Sequence, residues 1–146
     1  MNGWRRHGRG AKLRLVGTMD PQEAGLLRGL VEQVTAMLAD READAPADEL
    51  AELTGIRSGH TRPPGDPVLA RLLPDFHRDD PELAGMLRAA TESELIKAKV
   101  EAAAVVLDTC PPDGGRIELT VDQADAWLAA LNDVRLAVGT TLGVTE

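Results

Sequence analysis

The sequence has few of the residues on which many protein functions depend. It contains one cysteine, Cys110, which excludes a disulfide within the chain and a zinc site built from several cysteines. Its three aromatic residues, Trp4, Phe76 and Trp127, are too few for a surface on which nucleic-acid bases stack. No apolar run approaches the roughly 20 residues of a membrane span, and the amino terminus lacks the apolar core of a secretion signal. We therefore expect a cytoplasmic protein without membrane contact.

What is present is typical of a globular domain. The 146 residues are 43% apolar and 27% charged, which is close to the average for folded proteins and excludes wholesale disorder. A chain of this length is one ordinary domain. We predict a single domain over residues 1–146, with a loop-rich segment at about 40–66, where glycine and proline cluster without hydrophobic periodicity.

The charge is distributed unevenly along the chain. Residues 1–14 contain five basic side chains and no acid, whereas the chain as a whole carries −8, so the remainder carries −13. An acidic body disfavours binding to a polyanion, and we expect no direct contact with DNA. The basic arm is the predicted site of contact with a partner, through Arg5, Arg6 and Arg9. The alternative is that these arginines form the solvated face of a strand.

Three short strands are predicted, at 4–7, 11–16 and 116–119. Gly8-Arg9-Gly10 is typical of a tight turn, because glycine adopts positive φ without strain. The second and third strands each precede a capped helix, and we expect them to pair beside each other.

Three principal helices are predicted, at about 21–39, 81–109 and 121–142, together with short helices near 47–53 and from Asp66 to Leu73. Aspartate followed by proline begins two of the long helices, and Thr120 with Gln123 forms a capping box before the third. The predicted fold is α+β and mainly helical, with these helices packed on a small antiparallel sheet of two or three strands.

Each long helix carries an apolar stripe that we expect to face the core. In the first helix the stripe contains Leu27, Leu30, Val31, Val34 and Leu38. In the second it contains Met86, Ala90, Ser93, Ile96, Val100, Ala104 and Leu107. In the third it contains Ala124, Trp127, Leu128, Leu131, Val138 and Leu142.

No set of residues indicates catalysis. The sequence has no nucleophile elbow, phosphate loop or dinucleotide fingerprint. Asp75, His77 and Asp79 alternate in a segment between helices, and a metal site requires ligands that converge on a rigid frame. The residue that follows them, Asp80, is needed as a helix cap. We therefore predict a protein that is not an enzyme and has neither metal nor cofactor.

Cys110 is the one redox candidate, and it is a weak one. A reactive thiol requires a low pKa, whereas this residue lies at the carboxyl end of a predicted helix, where the dipole is negative. Asp108 and Asp113 also oppose a thiolate. An ordinary packed thiol is the favoured interpretation, and a disulfide to a second chain is the alternative.

Several motifs in a fixed order resemble one actinobacterial family, the domain of unknown function numbered 2017. They are Pro-Gln-Glu-Ala-x-Leu-Leu-Arg at 21–28, Asp-Pro-Val-Leu-Ala-Arg-Leu-Leu-Pro-Asp at 66–75, Arg-Asp-Asp-Pro-Glu at 78–82, Leu-Asn-Asp-x-Arg-Leu at 131–136 and Leu-Gly-Val-Thr-Glu at 142–146. The resemblance extends over nearly the whole chain and is weakest over 40–65.

The resemblance implies a cytoplasmic, non-enzymatic protein-interaction module. The family includes a redox-responsive regulator of transcription that works with a sigma factor, which implies a sigma factor or polymerase component as the partner. Members are often encoded near a Clp protease adaptor, so the alternative is a structural or adaptor-type homodimer linked to Clp-dependent proteolysis. The redox mode relies on a pair of cysteines within one chain, and this sequence departs from it because Cys110 stands alone.

Overall fold

Local sequence signals determine where the helices and strands begin. The computed structural model describes residues 2–44, 60–75 and 79–143. Its elements in chain order are β1 (Asn2–His7), β2 (Arg14–Met19), α1 (Pro21–Ala43), α2 (Pro67–Leu72), α3 (Pro81–Thr109), β3 (Gly115–Leu119) and α4 (Val121–Thr141). The mainly helical α+β fold is therefore confirmed. The predicted helix near 47–53 lies outside the described residues.

The predicted caps satisfy the free N–H groups at the helix starts. The backbone N–H of Glu23 donates to Asp20 Oδ1 at 2.8 Å, and the N–H of Leu83 donates to Asp80 Oδ1 at 3.1 Å. Asp66 accepts from two N–H groups of α2 in the same way. The capping box of α4 is closed in both directions, with the N–H of Gln123 on Thr120 Oγ1 at 3.1 Å and the N–H of Thr120 on the amide oxygen of Gln123 at 2.9 Å. Capping is a local interaction, and sequence order alone is enough to predict it.

The turn between β1 and β2 differs in part from its prediction. Gly8 and Gly10 adopt positive φ, as expected. However, residues 10–12 form a single 3-10 turn, and β2 begins at Arg14 rather than at residue 11. β2 also continues through Gly17 to Met19, three residues beyond its predicted end.

The three strands form an antiparallel sheet with the order β1-β2-β3. β2 lies in the centre and pairs with β3, with Leu15 opposite Leu119 and Gly17 opposite Ile117. This confirms the predicted pairing of the second and third strands. On the other side, Arg6 of β1 lies opposite Leu15.

The chain divides into two compact units. Unit 1 comprises Met1–Thr35 and Lys99–Val134. Its core combines the inward residues of the sheet with one face of each long helix. The buried members are Met19, Ala24, Leu27, Val31, Ala103, Val106, Cys110, Ile117, Leu119, Trp127 and Ala130.

Unit 2 comprises Ala36–Ala98 and Arg135–Glu146. Its buried apolar side chains are Leu38, Leu72, Leu73, Ala84 and Ile96. Two charged residues of α3, Arg88 and Glu92, are buried among them, with 2% exposure each. Both take part in ion pairs within this unit.

The buried face of α3 is not the predicted one. Met86, Ala90 and Ala104 are exposed, and only Ile96 of the predicted stripe is fully buried. The observed stripe passes through Ala84, Arg88, Glu92, Ile96, Ala103, Val106 and Cys110. Two charged side chains lie on the buried face. A prediction from hydrophobicity alone therefore chose a neighbouring face of the helix.

The prediction for α4 is also wrong at two positions. Leu128 is 67% exposed and Leu142 is 73% exposed. Leu128 follows the buried Trp127, and consecutive helical residues point about 100° apart.

Among the described helices, none combines the length and the apolar character that a membrane span requires.

Candidate functional site

An open apolar groove lies in unit 1, between one face of the sheet and α4. It has a volume of about 190 Å³. Trp4, Leu15 and Leu119 line it from the three strands. Helix α4 contributes Ala124, Trp127, Leu128 and Leu131. Both tryptophans of the chain therefore form walls of one groove.

Gly17 allows the Trp4 ring to lie over the sheet. A β carbon at Gly17 would lie 2.8 Å from Cδ2 of Trp4, which is closer than real contacts allow. The ring of Trp4 is 37% exposed and meets Trp127 edge-on, with 5.8 Å between ring centroids. An aromatic side chain over a glycine shields the strand at a position that has no side chain of its own. The Trp4 ring therefore covers β2 at Gly17.

We expect Gly17→Val to move the Trp4 ring off the sheet. The unfolding free energy should fall by about 1–3 kcal/mol, the usual cost of an overpacked site, and tryptophan emission should shift to the red as the ring enters water. Gly3→Val is the matched control, because a β carbon at Gly3 meets no atom within 4 Å. An unchanged emission spectrum in Gly17→Val would show that the ring does not depend on this glycine.

Trp127 is the rigid wall of the groove. It is 3% exposed, and its ring N–H donates to Thr109 Oγ1 at 2.8 Å. Its predicted place in the core is confirmed. Leu128, one residue further on, presents its side chain to solvent at the rim of the groove.

The three candidate arginines do not form one patch. Arg5 and Arg6 are consecutive in β1, so their side chains leave opposite faces of the sheet. Arg6 lies directly opposite Leu15, a groove residue, and cross-strand partners share a face. Arg5 lies opposite Val16, on the other face. Arg9 is exposed in the turn before the 3-10 segment. The structure therefore places Arg6 on the groove side of the sheet.

Cys110 directly follows α3 and is 2% exposed. Its Sγ is 3.8 Å from Sδ of Met19. Arg28 of α1 donates to the carbonyl oxygens of Leu107 and Cys110, at 2.7 Å each. Burial raises the pKa of the Cys110 thiol above its usual value, and the positive charge of Arg28 only partly opposes this. Sequence analysis missed Arg28 because it is 82 residues distant in the chain.

The Cys110 thiol should react with a disulfide reagent much more slowly in the folded protein than in urea. Because folding raises its pKa, the unfolded chain loses this proton first, so stability should fall as the pH rises above about 9.0.

Peroxide treatment followed by non-reducing electrophoresis should leave a single monomer band. A dimer band that is absent in Cys110→Ser would contradict this prediction.

Unit 2 contains a buried network of ion pairs that sequence analysis did not find. Arg88 Nη1 lies 2.8 Å from Glu92 Oε1 and 3.0 Å from the carbonyl oxygen of Leu73, and Arg88 Nη2 lies 2.6 Å from Asp75 Oδ1. Arg41 of α1 donates to both oxygens of Glu92, at 3.1 Å each. The only sequence signal was the spacing of Arg88 and Glu92, which is also the spacing of an ordinary surface pair.

Arg41 extends this network to a loop. Its Nη2 donates to the carbonyl oxygen of Arg62 at 2.7 Å, and its own carbonyl oxygen lies 2.8 Å from Nε2 of His60. The network therefore joins α1, α3 and the segment before α2. Its role is structural.

Metal ligands do not converge in the described part of the chain. No three His, Cys, Asp or Glu side chains there come together as a metal site. His7 ends β1, and His77 lies outside the described residues. Asp80 serves as the cap of α3.

Comparison with known proteins gives one consistent result. The family model for a domain of unknown function (DUF2017) matches residues 1–146. The chain is 46% identical over 144 residues to the oxidative stress regulator AosR of Mycobacterium bovis and to the protein of the same name in Mycobacterium tuberculosis. A relative in Mycobacterium leprae is 41% identical.

These alignments cover 90% of this chain and 66% of each relative, so the chain spans about two thirds of the length of the curated relatives. No solved structure matches the chain.

Proposed function

The chain belongs to the DUF2017 family, and from this premise we propose that it regulates the response to oxidative stress by binding another protein. The observation that carries the proposal is the 46% identity to proteins named oxidative stress regulators, maintained over 144 residues. In this proposal the chain acts by binding and not by catalysis.

The groove supports binding as the mode of action. Its walls are apolar and its rim residue Leu128 is 67% exposed. An apolar surface that is open to solvent and bordered by charged residues is typical of an interaction site. Arg6 on the same face of the sheet supplies such a border.

The partner we propose is a sigma factor or another component of the transcription machinery, the class that the family resemblance implies. A Clp-related partner is the alternative. The signal in this chain does not pass through a disulfide between two of its own cysteines, because the 146 residues contain one.

A deletion strain of the native host tests the regulatory role. We expect loss of the gene to lower survival after peroxide treatment and to change the transcript levels of peroxide-induced genes. Restoring the gene should reverse both effects. Normal survival and unchanged transcripts under peroxide would overturn the proposal.

Purified proteins test the partner. The immobilised chain should retain a host sigma factor or RNA polymerase and should not retain Clp components. Retention of Clp components alone, together with unchanged transcripts in the deletion strain, would favour the adaptor alternative.

A further inference from the structure

We infer that the groove between the sheet and α4 binds an acidic amphipathic helix of a partner protein. The inference rests on the proposed function, since it assumes that the chain acts through binding, and it adds the surface and the chemistry of the partner. Three observations carry it: the size of the groove, the apolar row on α4, and the arrangement of charge at its two edges.

The size of the groove fits side chains of a peptide. Its volume of about 190 Å³ is below the roughly 300–1,000 Å³ of most small-molecule sites. It is also open, because Leu128 projects into solvent at its rim. Such a groove accepts one or two apolar anchor residues from a chain that lies across it.

The apolar row on α4 has the length of a short docked helix. Ala124, Leu128 and Leu131 line the groove on one side of α4, and Val121 extends the same row with 47% exposure. Residues 121–131 of a helix extend over about 15 Å, or nearly three turns. An amphipathic helix packs its own apolar residues, spaced by three and four positions, against such a row.

The charged residues beside the groove indicate which charge the partner helix should carry. On the sheet side Arg6 lies opposite the groove residue Leu15 and shares its face of the sheet. On the far side of the apolar row, α4 exposes Asp125. Carboxylates along the edge of a docked helix that faces β1 would meet arginine, and arginine binds carboxylates with good geometry. A nucleic acid would instead bring phosphates towards Asp125.

Two designed helical peptides provide the test. Both carry the same leucines at spacings of three and four residues, lack tryptophan, and differ only in having glutamate or lysine beside the apolar face. Because both tryptophans of the protein line the groove, their emission reports occupancy directly. We expect the glutamate peptide to change this emission saturably and to bind at least tenfold more tightly than the lysine peptide.

The chain offers a matched pair of variants for each feature. Leu128→Glu should weaken binding of the glutamate peptide at least tenfold, whereas Leu26→Glu should leave it unchanged, since Leu26 is 66% exposed but lies on α1 outside the groove. Arg6→Glu should weaken binding at least fivefold and Arg5→Glu should not, because the two side chains leave opposite faces of the sheet. Thermal melts of the four variants establish that each is folded.

Several results would overturn the inference. These are failure of both peptides to bind, equal affinity for the two peptides, or binding that Leu128→Glu does not weaken. A dimer in sedimentation that Leu128→Glu dissociates would show that a second copy of this chain covers the groove instead.

The proposal for the groove and the proposal for the regulatory role can be contradicted independently. If Leu128→Glu restores peroxide survival to the deletion strain as well as the wild-type gene does, the groove is not the regulatory surface although the regulatory function stands. If deletion has no peroxide phenotype but the glutamate peptide binds as described, the groove stands and the proposed function fails.

Discussion

Glu92→Ala should lower the free energy of unfolding by about 3–5 kcal/mol, the usual cost of removing one partner from a buried ion pair. The carboxylate is 2% exposed and accepts hydrogen bonds from Arg88 and from Arg41. Without it, Arg41 loses this carboxylate partner, and the buried Arg88 keeps only Asp75, whose side chain is 38% exposed. Chemical denaturation monitored by circular dichroism measures the loss.

Glu94→Ala is the matched control for Glu92→Ala. Glu94 is exposed on the same helix, two residues away, and its replacement should change stability by less than about 0.5 kcal/mol. The double variant Arg88→Met/Glu92→Leu should be more stable than Glu92→Ala, because it also removes the guanidinium of Arg88, which is 2% exposed. If Glu92→Ala and Glu94→Ala were equally stable, the network would contribute nothing to the fold.

Trp127→Ala should also lower the free energy of unfolding by about 3–5 kcal/mol, the range for a large buried aromatic residue. The ring is 3% exposed, belongs to the core of unit 1 and supports the ring of Trp4. The lost hydrogen bond to Thr109 adds little, because the hydroxyl of Thr109 also donates to the carbonyl oxygen of Val105 at 2.6 Å. Most of the loss in unfolding free energy comes from the cavity that the substitution leaves.

Leu128→Ala is the control for this variant. Leu128 is adjacent in sequence and 67% exposed, so its truncation should change the unfolding free energy by less than about 0.5 kcal/mol. The same change should weaken binding of the acidic peptide. A Trp127→Ala protein that melts within a degree or two of the wild type would show that the ring is not a core anchor.

The prediction for α3 failed for a physical reason. Periodicity identifies the buried side of a helix on the assumption that apolar residues are inside. In α3 the buried side carries Arg88 and Glu92, whose charges are balanced by Asp75 and Arg41. A sequence does not distinguish such a pair from a solvated one, since the partners that neutralise it lie on other elements. In α1, where no described charged residue is fully buried, the predicted residues Leu27, Val31, Val34 and Leu38 are buried and Leu30 is partly buried.

The sequence by itself determined what depends on neighbours in the chain. Asp20, Asp80 and Thr120 cap their helices because the N–H groups they satisfy lie three residues away. Gly8 and Gly10 make the turn because of their own backbone freedom. The family motifs are likewise read in order along the chain.

Only the tertiary structure decided what depends on distant residues. Gly17 has no side chain at the position where the Trp4 ring of the neighbouring strand lies over it. Arg6 borders the groove and Arg5 does not, because the pairing of β1 with β2 sets which face each side chain occupies. In α4, Trp127 points inward and Leu128 points outward at the groove. Trp127 therefore stabilises the fold, whereas Leu128 offers a surface for binding. Both residues are large and apolar, and their packing separates their roles.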